Sequence, residues 1–283
     1  MIVYKVLYNK RLNKDSFEMQ IKAPLVVKKC MPGQFVILMA HEDSERIPLT
    51  IYDFDRKKGL LTVIYQVIGA STEELSFVKD EIFSVSGPLG NANEICADPK
   101  KYKNKRICYI AGGVGIAPVY PQVKYLKDNG IDCDVIYGAR NVDLLLLRDE
   151  CSKVVNKISY ATDDGSYGTK GFVTDILKEK IHDYDMVVAI GPVIMMKNVV
   201  ELTKKYGVET IVSMNPLMVD GSGMCGACRC EVDGKPKFAC IHGPEFDGFK
   251  VNFDLALKRM KIYREEEAEK WEMMKKRLAK EKK

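Results

Sequence analysis

The sequence predicts two folded units in series, an antiparallel β-barrel and then a parallel α/β sheet, followed by a cysteine-rich segment and a C-terminal helix. Three observations carry this. Residues 1–98 break into short β-rich runs separated by turn signals. From about residue 105, short apolar strands alternate with helical stretches. After residue 214 both rhythms stop, and glycine, aspartate and cysteine take over.

In the first unit the β-rich runs are Val3 to Tyr8, Ser16 to Ile21, Gln34 to Met39, Leu60 to Val67 and Ile82 to Val85. Met31-Pro32-Gly33, Asp55 to Gly59 and Gly87-Pro88-Leu89-Gly90 mark turns between them. Strands this short and this evenly spaced suit a barrel or sandwich. In the second unit, residues 99–213, strands are expected at Arg106 to Ala111, Ile131 to Tyr137, within Ser152 to Tyr160, at Met186 to Ile190 and at Thr210 to Met214. Helices are expected at Ala117 to Asn129, Gly171 to Glu179 and Val193 to Tyr206. Strands joined through helices form a parallel sheet covered on both faces. Residues 214–250 carry little periodicity, and residues 251–283 read as one charged helix.

Composition excludes several function classes. The 44 Lys and Arg nearly balance 39 Asp and Glu, and no basic block is interleaved with aromatics, so nucleic acid is not the expected partner. No apolar run reaches membrane-span length and the N-terminus has no signal-peptide core, which together predict a cytoplasmic protein without a membrane partner. Cys30, Cys96, Cys108, Cys133 and Cys151 are scattered and read as inert buried thiols. With only three histidines, the chemistry is expected to come from a cofactor.

The first chemical motif is Ala111 to Pro118, AGGVGIAP, after a buried strand and before a helix. Gly112, Gly113, Val114 and Gly115 form a turn where backbone can approach a phosphate beside a helix N-terminus. Gly138-Ala139-Arg140, Thr162-Asp163-Asp164-Gly165-Ser166 and Gly191-Pro192 follow three other strands. All four loops stand at carboxyl ends of strands, where open parallel sheets bind ligands. Ordinary strand–helix turns are the alternative. Arg140 suits a pyrophosphate. Asp163 and Asp164 disfavour a 2′-phosphate, which predicts NAD(H) over NADP(H).

A second motif lies upstream, Arg46 to Asp55 (RIPLTIYDFD), with Val67 to Thr72 (VIGAST) beyond it. Arg46-x-Pro48-Leu49-Thr50, Gly69 to Thr72, the Gly112 loop and Gly191-Pro192, in this order, resemble the ferredoxin–NADP reductase superfamily. The resemblance implies an FAD barrel joined to a nicotinamide-nucleotide domain. It implies that Arg46 contacts the FAD pyrophosphate and that Thr50 lies near the reactive flavin nitrogen, as the catalytic residue. Gly69, Ser71 and Thr72 would hold phosphate or ribose groups, with Pro48, Leu49, Gln66, Val67 and Ala70 completing the flavin site. The Gly112 and Gly191 loops would receive the nicotinamide nucleotide. An aromatic residue often stands in that family where this chain has Leu49.

The third motif is Asp220 to Cys240, DGSGMCGACRC…FAC. It reads D-x4-C-x2-C-x11-C, close to the plant-type [2Fe–2S] spacing with Asp220 at the first ligand position. Asp220, Cys225, Cys228 and Cys240 are the expected ligands. Cys230 in place of Asp220, or a structural zinc on the cysteines and His242, are the alternatives. Up to about residue 250 the chain resembles one branch of that superfamily. This branch holds the electron-transfer subunits of dihydroorotate dehydrogenase and of NADH-dependent reduced ferredoxin:NADP+ oxidoreductase, an electron-bifurcating enzyme. The first is expected to carry four cysteines and the second Asp plus three, which Asp220 matches. The resemblance implies a larger flavoprotein partner, with ferredoxin reached through the complex. Phe253, Leu257, Met260, Tyr263, Ala268, Trp271, Met274 and Leu278 form an apolar stripe on the last helix, read as a docking face or as packing on its own domain.

Overall fold

A computed structural model describes residues 3–281 of the chain. Residues 1–2 and 282–283, the outer ends of the first and last predicted ranges, lie outside the described residues.

The first unit is a seven-stranded antiparallel sheet that curls into a nearly closed barrel, in the order β6-β1-β2-β5-β4-β3-β7. Its strands are β1 (Tyr4–Arg11), β2 (Ser16–Lys22), β3 (Phe35–Met39), β4 (Ile47–Asp55), β5 (Leu60–Gln66), β6 (Glu81–Ile82) and β7 (Ser84–Leu89). Met19, Ile21, Val36, Leu38, Ile51, Leu61 and Val63 are fully enclosed and fill it. Alternation explains the choice: in β4 and β5, Ile51 and Val63 pair across the ladder with both side chains inside. Two short helices decorate the barrel, α1 (Pro24–Val27) and α2 (Ala70–Ser76), and two more, α3 (Glu94–Ala97) and α4 (Pro99–Tyr102), lead out of it.

The second unit is built on a sheet ordered β11-β10-β9-β8-β12-β13-β16. Strands β8 (Ile107–Gly112), β9 (Cys133–Ala139), β10 (Lys157–Thr162), β11 (Thr169–Lys170), β12 (Met186–Ile190) and β13 (Glu209–Ser213) are parallel. Every residue of β8 and of β12 is buried, as continuous apolar runs in a doubly covered sheet should be. Helix α5 (Ile116–Asp128) covers one face, with Val119, Val123 and Leu126 on Tyr109 and Val135. Helices α7 (Val173–Lys180) and α8 (Val193–Tyr206) cover the other, on Cys108, Ile110 and Val187. A short α6 (Arg148–Ser152) precedes β10. The five scattered cysteines are all buried.

Beyond β13 the chain loops out and forms a hairpin of β14 (Arg229–Val232) and β15 (Lys235–Phe238), whose turn residues Asp233 and Gly234 both have positive φ. After α9 (Ala239–His242), strand β16 (Glu245–Asp247) returns antiparallel to β13. The C-terminal region differs from the single helix expected: α10 (Phe253–Arg259) and α11 (Arg264–Glu281) are separate. Met260, Ile262 and Tyr263, between them, line a 230 Å³ cavity instead of continuing the helix.

One polar junction ties these parts together. Glu245 Oε2 accepts a hydrogen bond from Asn93 Nδ2 at 2.6 Å, and Oε1 accepts one from Gln122 Nε2 at 2.8 Å. Asn93 comes from the barrel's exit, Gln122 from α5 and Glu245 from β16, and both amide residues are fully buried. Burial pushes the Glu245 carboxyl up to about 7, against the downward pull of the two amides. The native state therefore holds a proton that the unfolded chain has released. The associated stability is complete below about pH 4.5 and is lost as pH rises through about 7. Unfolding free energy should fall across that window by up to about 3 kcal/mol. Glu245→Gln should remove this slope. Denaturant titrations at several pH values check it, and identical slopes in both proteins would contradict it.

Candidate functional site

A cavity of about 1130 Å³ opens between strands β4 and β5 of the barrel and the carboxyl ends of β8, β9, β10, β12 and β13. That is larger than most single small-molecule sites. Arg46, Pro48, Leu49, Thr50 and Gln66 line it from the barrel side. Ser71 and Thr72 do so from α2. The Gly112 to Gly115 loop, Arg140, Asp163, Gly191 and Pro192 line it from the parallel sheet. Val67, Gly69 and Ala70 are not on its wall. Val67 packs on the barrel core, Gly69 caps α2 and Ala70 is buried.

The glycines divide into two roles. A Cβ on Gly115 would lie 2.3 Å from the Ile190 carbonyl oxygen, and one on Gly191 would lie 3.0 Å from Gly112 Cα. Those positions let the β8 and β12 loops touch. Gly113 has φ +54 and nothing within 4 Å of its missing Cβ, so it leaves open backbone toward the cavity. Arg140 and Asp163 are exposed, and neither side chain has a hydrogen bond or ion pair among the described residues. At the barrel end, Thr72 Oγ1 is occupied in the start of α2, accepting from the N–H groups of Ile68 at 3.0 Å and Gly69 at 3.2 Å. Ser71 Oγ donates to Glu45.

Arg46 connects this cavity to the cysteine loop. Its Nε donates to the Val219 carbonyl at 2.6 Å, and its Nη2 to the Asp220 carbonyl at 3.3 Å. The loop itself is organised by its own backbone. Asp220 Oδ2 accepts from the Cys225 N–H at 2.8 Å, while Oδ1 accepts from the Ser222 N–H and hydroxyl. Hydrogen bonds from Cys225 first, and from Ser222, hold the Asp220 carboxyl well below the usual carboxylate range. Cys228 Sγ and Cys240 Sγ lie 3.2 Å apart. Burial, then the contact with Cys228, pushes the Cys240 thiol up to about 12. Two buried thiols this close ionise together only with a cation to offset them.

These residues fit an iron–sulfur group. Backbone N–H groups of Ala227 and Cys240 each approach a cysteine sulfur at 3.5 Å. Gly221 and Gly223 hold positive φ where a side chain would strike Ile37 or Ile241. Among the described residues, no three His, Cys, Asp or Glu side chains are arranged to hold one metal ion. Asp220 pairs with Cys225 within the loop, and Cys228, at the loop's end, pairs with Cys240 of α9. Cys230 instead lines the 230 Å³ cavity beside Arg259, where none of the other three cysteines reaches. His242 Nδ1 accepts from the Phe238 N–H at 3.0 Å.

The sequence reading missed part of the wall. Ser213, the last residue of β13, and Asn215, Pro216, Leu217 and Met218 beyond it line the cavity. The carboxyl-edge rule applied to the other strands would have found them. Glu267 of α11 also reaches the wall, and Lys270 pairs with Glu45, so α11 leans across α2 at the barrel end. Trp271, Met274 and Leu278 of the apolar stripe are half-buried, while Ala268 is exposed.

A barrel and a parallel sheet around one cavity, with a cysteine loop tied to its wall through Arg46, define a redox protein of the ferredoxin reductase type. The comparisons agree. Residues 109–201 match the oxidoreductase NAD-binding domain, and residues 215–252 match the iron–sulfur cluster binding domain of dihydroorotate dehydrogenase B. A dihydroorotate dehydrogenase B (NAD(+)) electron transfer subunit homolog of Thermotoga maritima is 45% identical, over 91% of this chain and 90% of that protein. The electron transfer subunit of Clostridium acetobutylicum is 35% identical, over 88% and 96%. A solved chain of NADH-dependent reduced ferredoxin–NADP oxidoreductase, studied for flavin-based electron bifurcation, superposes with a TM-score of 0.88. It is 40% identical and covers 96% of this chain and 98% of its own. The chain belongs to the family of dihydroorotate dehydrogenase B electron transfer subunits and their homologues. It is an oxidoreductase subunit, and family and fold together give its cofactors as FAD, an iron–sulfur cluster and NAD(H). Among the described residues no helix is long and apolar enough to cross a membrane.

Proposed function

We propose that the chain is the electron-transfer subunit of an electron-bifurcating NADH-dependent ferredoxin:NADP+ oxidoreductase, working in the cytoplasm with a larger flavoprotein subunit. Hydride would pass between NAD(H) and FAD, and single electrons would leave through a [2Fe–2S] cluster. Asp220 carries this reading, because a carboxylate at the first ligand position is what that branch is expected to have. The full-length likeness to the solved oxidoreductase chain supports it.

FAD supplies the conversion between paired and single electrons, and the cluster supplies the exit. The chain's own residues bind and orient. Arg46 meets the FAD pyrophosphate with a charge-assisted contact while bracing the cluster loop. Thr50, on β4 at the cavity wall, offers its hydroxyl to the reactive flavin edge. Asp220, Cys225, Cys228 and Cys240 hold the cluster. Gly113 presents backbone to the nucleotide, Arg140 meets its pyrophosphate, and Asp163 takes ribose hydroxyls and repels a 2′-phosphate.

The second reading is the dihydroorotate dehydrogenase subunit, favoured by the names of the curated relatives. Purifying the native complex and assaying it separates the two. The proposal expects NADP+ reduction that needs both NADH and reduced ferredoxin, and NADH over NADPH as the nucleotide oxidised by this subunit. Dihydroorotate oxidation by the complex, or a clear preference of this subunit for NADPH, would overturn the corresponding part.

A further inference from the structure

We infer that Arg259 is a positioning residue that sets the reduction potential of the iron–sulfur cluster. It clamps the peptide before Cys228 and places a fixed positive charge beside the cysteine loop, a role that rests on the cluster reading above. Arg259 is half-buried, and its Nη2 donates to the Ala227 carbonyl at 3.2 Å. Ala227 lies between Cys225 and Cys228, two of the proposed ligands.

The helix that carries Arg259 is tied to the same part of the molecule. Asn252 Oδ1 accepts from the Leu255 N–H at 3.0 Å and so starts α10. Asn252 Nδ2 donates to Glu231 Oε1 at 2.7 Å, on the β14 strand that directly follows Cys228. Phe253 is buried in the same apolar core as Cys228 and Cys240. Lys197 of α8 holds Asp254 at 2.8 Å. These contacts fix α10, and Arg259 is its last residue.

The clamp orients a backbone donor. The cis bonds of the described chain are both X–Pro, so the Ala227–Cys228 peptide is trans, with its carbonyl and its N–H on opposite sides. Holding the Ala227 carbonyl on Arg259 turns the Cys228 N–H away from the guanidinium. Cys228 is 2% exposed, and among the described residues no group accepts from its N–H. Buried backbone donors are almost always paired, and a cluster sulfur suits this one.

The charge acts in the same direction. A guanidinium stays protonated across the working range, and among the described residues Arg259 forms no ion pair. Arg106, by contrast, is neutralised by Asp185 at 2.8 Å. One electron taken from the flavin adds one negative charge to the cluster. An uncompensated cation and an added N–H donor both favour that reduced form and raise its potential.

Redox titration of the anaerobic full-length protein, followed by electron paramagnetic resonance, tests this. Arg259→Gln should keep its iron and shift the cluster equilibrium about tenfold toward the oxidised form, a midpoint about 59 mV lower for one electron. Arg259→Lys keeps the charge without the planar fork, so its midpoint should fall between the two. The flavin midpoint should stay in place, because Arg259 lines the 230 Å³ cavity and not the large one. An unchanged cluster midpoint in Arg259→Gln would overturn the inference, as would loss of its iron or equal shifts of cluster and flavin. If Arg259→Gln does not fold, a midpoint in Arg259→Lys no lower than that of the unaltered chain overturns it alone. An unaltered chain with no cluster signal removes the cluster reading itself, which is a separate result.

Discussion

Cys228→Ser should strip iron from the protein and leave its flavin in place. Cys228 is buried against Cys240 and does not line the large cavity, so losing its thiolate would remove a proposed cluster ligand without opening the flavin site. The unaltered protein should carry about two irons per chain, as a [2Fe–2S] centre does. Asp220→Cys should keep the iron and shift the reduction potential, because a hard oxygen and a soft thiolate stabilise the two iron states differently. Cys230→Ser should be silent toward iron, since Cys230 faces the smaller cavity. Iron analysis and visible spectra after anaerobic purification check all three. Iron lost in Cys230→Ser but kept in Asp220→Ala would move the fourth ligand to Cys230.

Arg46→Ala should cost the protein both flavin and cluster integrity. Removing a charge-assisted hydrogen bond costs about 1.5–3 kcal/mol. At about 1.4 kcal/mol per tenfold, FAD should be held roughly ten- to a hundredfold more weakly. The same guanidinium donates to the Val219 and Asp220 carbonyls, so the loop that presents Asp220 loses its brace. Equilibrium dialysis of FAD and the rate of iron loss to a chelator measure the two effects. Unchanged FAD affinity would count against the flavin role of Arg46, and unchanged iron loss against its bracing role.

Elements with strong local signals were readable in the sequence. Met186–Ile190 and Val193–Tyr206 occupy the predicted bounds, because an all-apolar run, Gly191-Pro192 and Gly207 punctuate them without help from tertiary contacts. The three-residue β16 was not readable, since its place is set by pairing to Ser213, far away in sequence. The α10–α11 break has no glycine or proline to announce it, and the residues at it, Met260, Ile262 and Tyr263, line the 230 Å³ cavity. The cavity residues that were found sit at carboxyl ends of strands, on β4 or at the start of α2. Asn215 to Met218 escaped because they belong to an aperiodic stretch. Glu245 escaped because its partners Asn93 and Gln122 lie over 100 residues away, and an isolated Glu in a sequence carries no sign of burial.

Anaerobic titration of the purified chain with NADH, followed by visible absorption and electron paramagnetic resonance, tests the central claim most directly. The account predicts that NADH bleaches the flavin and that a reduced [2Fe–2S] signal appears in the same protein. A colourless preparation containing zinc, or a flavin that NADH reduces while the cluster stays oxidised with a partner-independent signal absent, would contradict it.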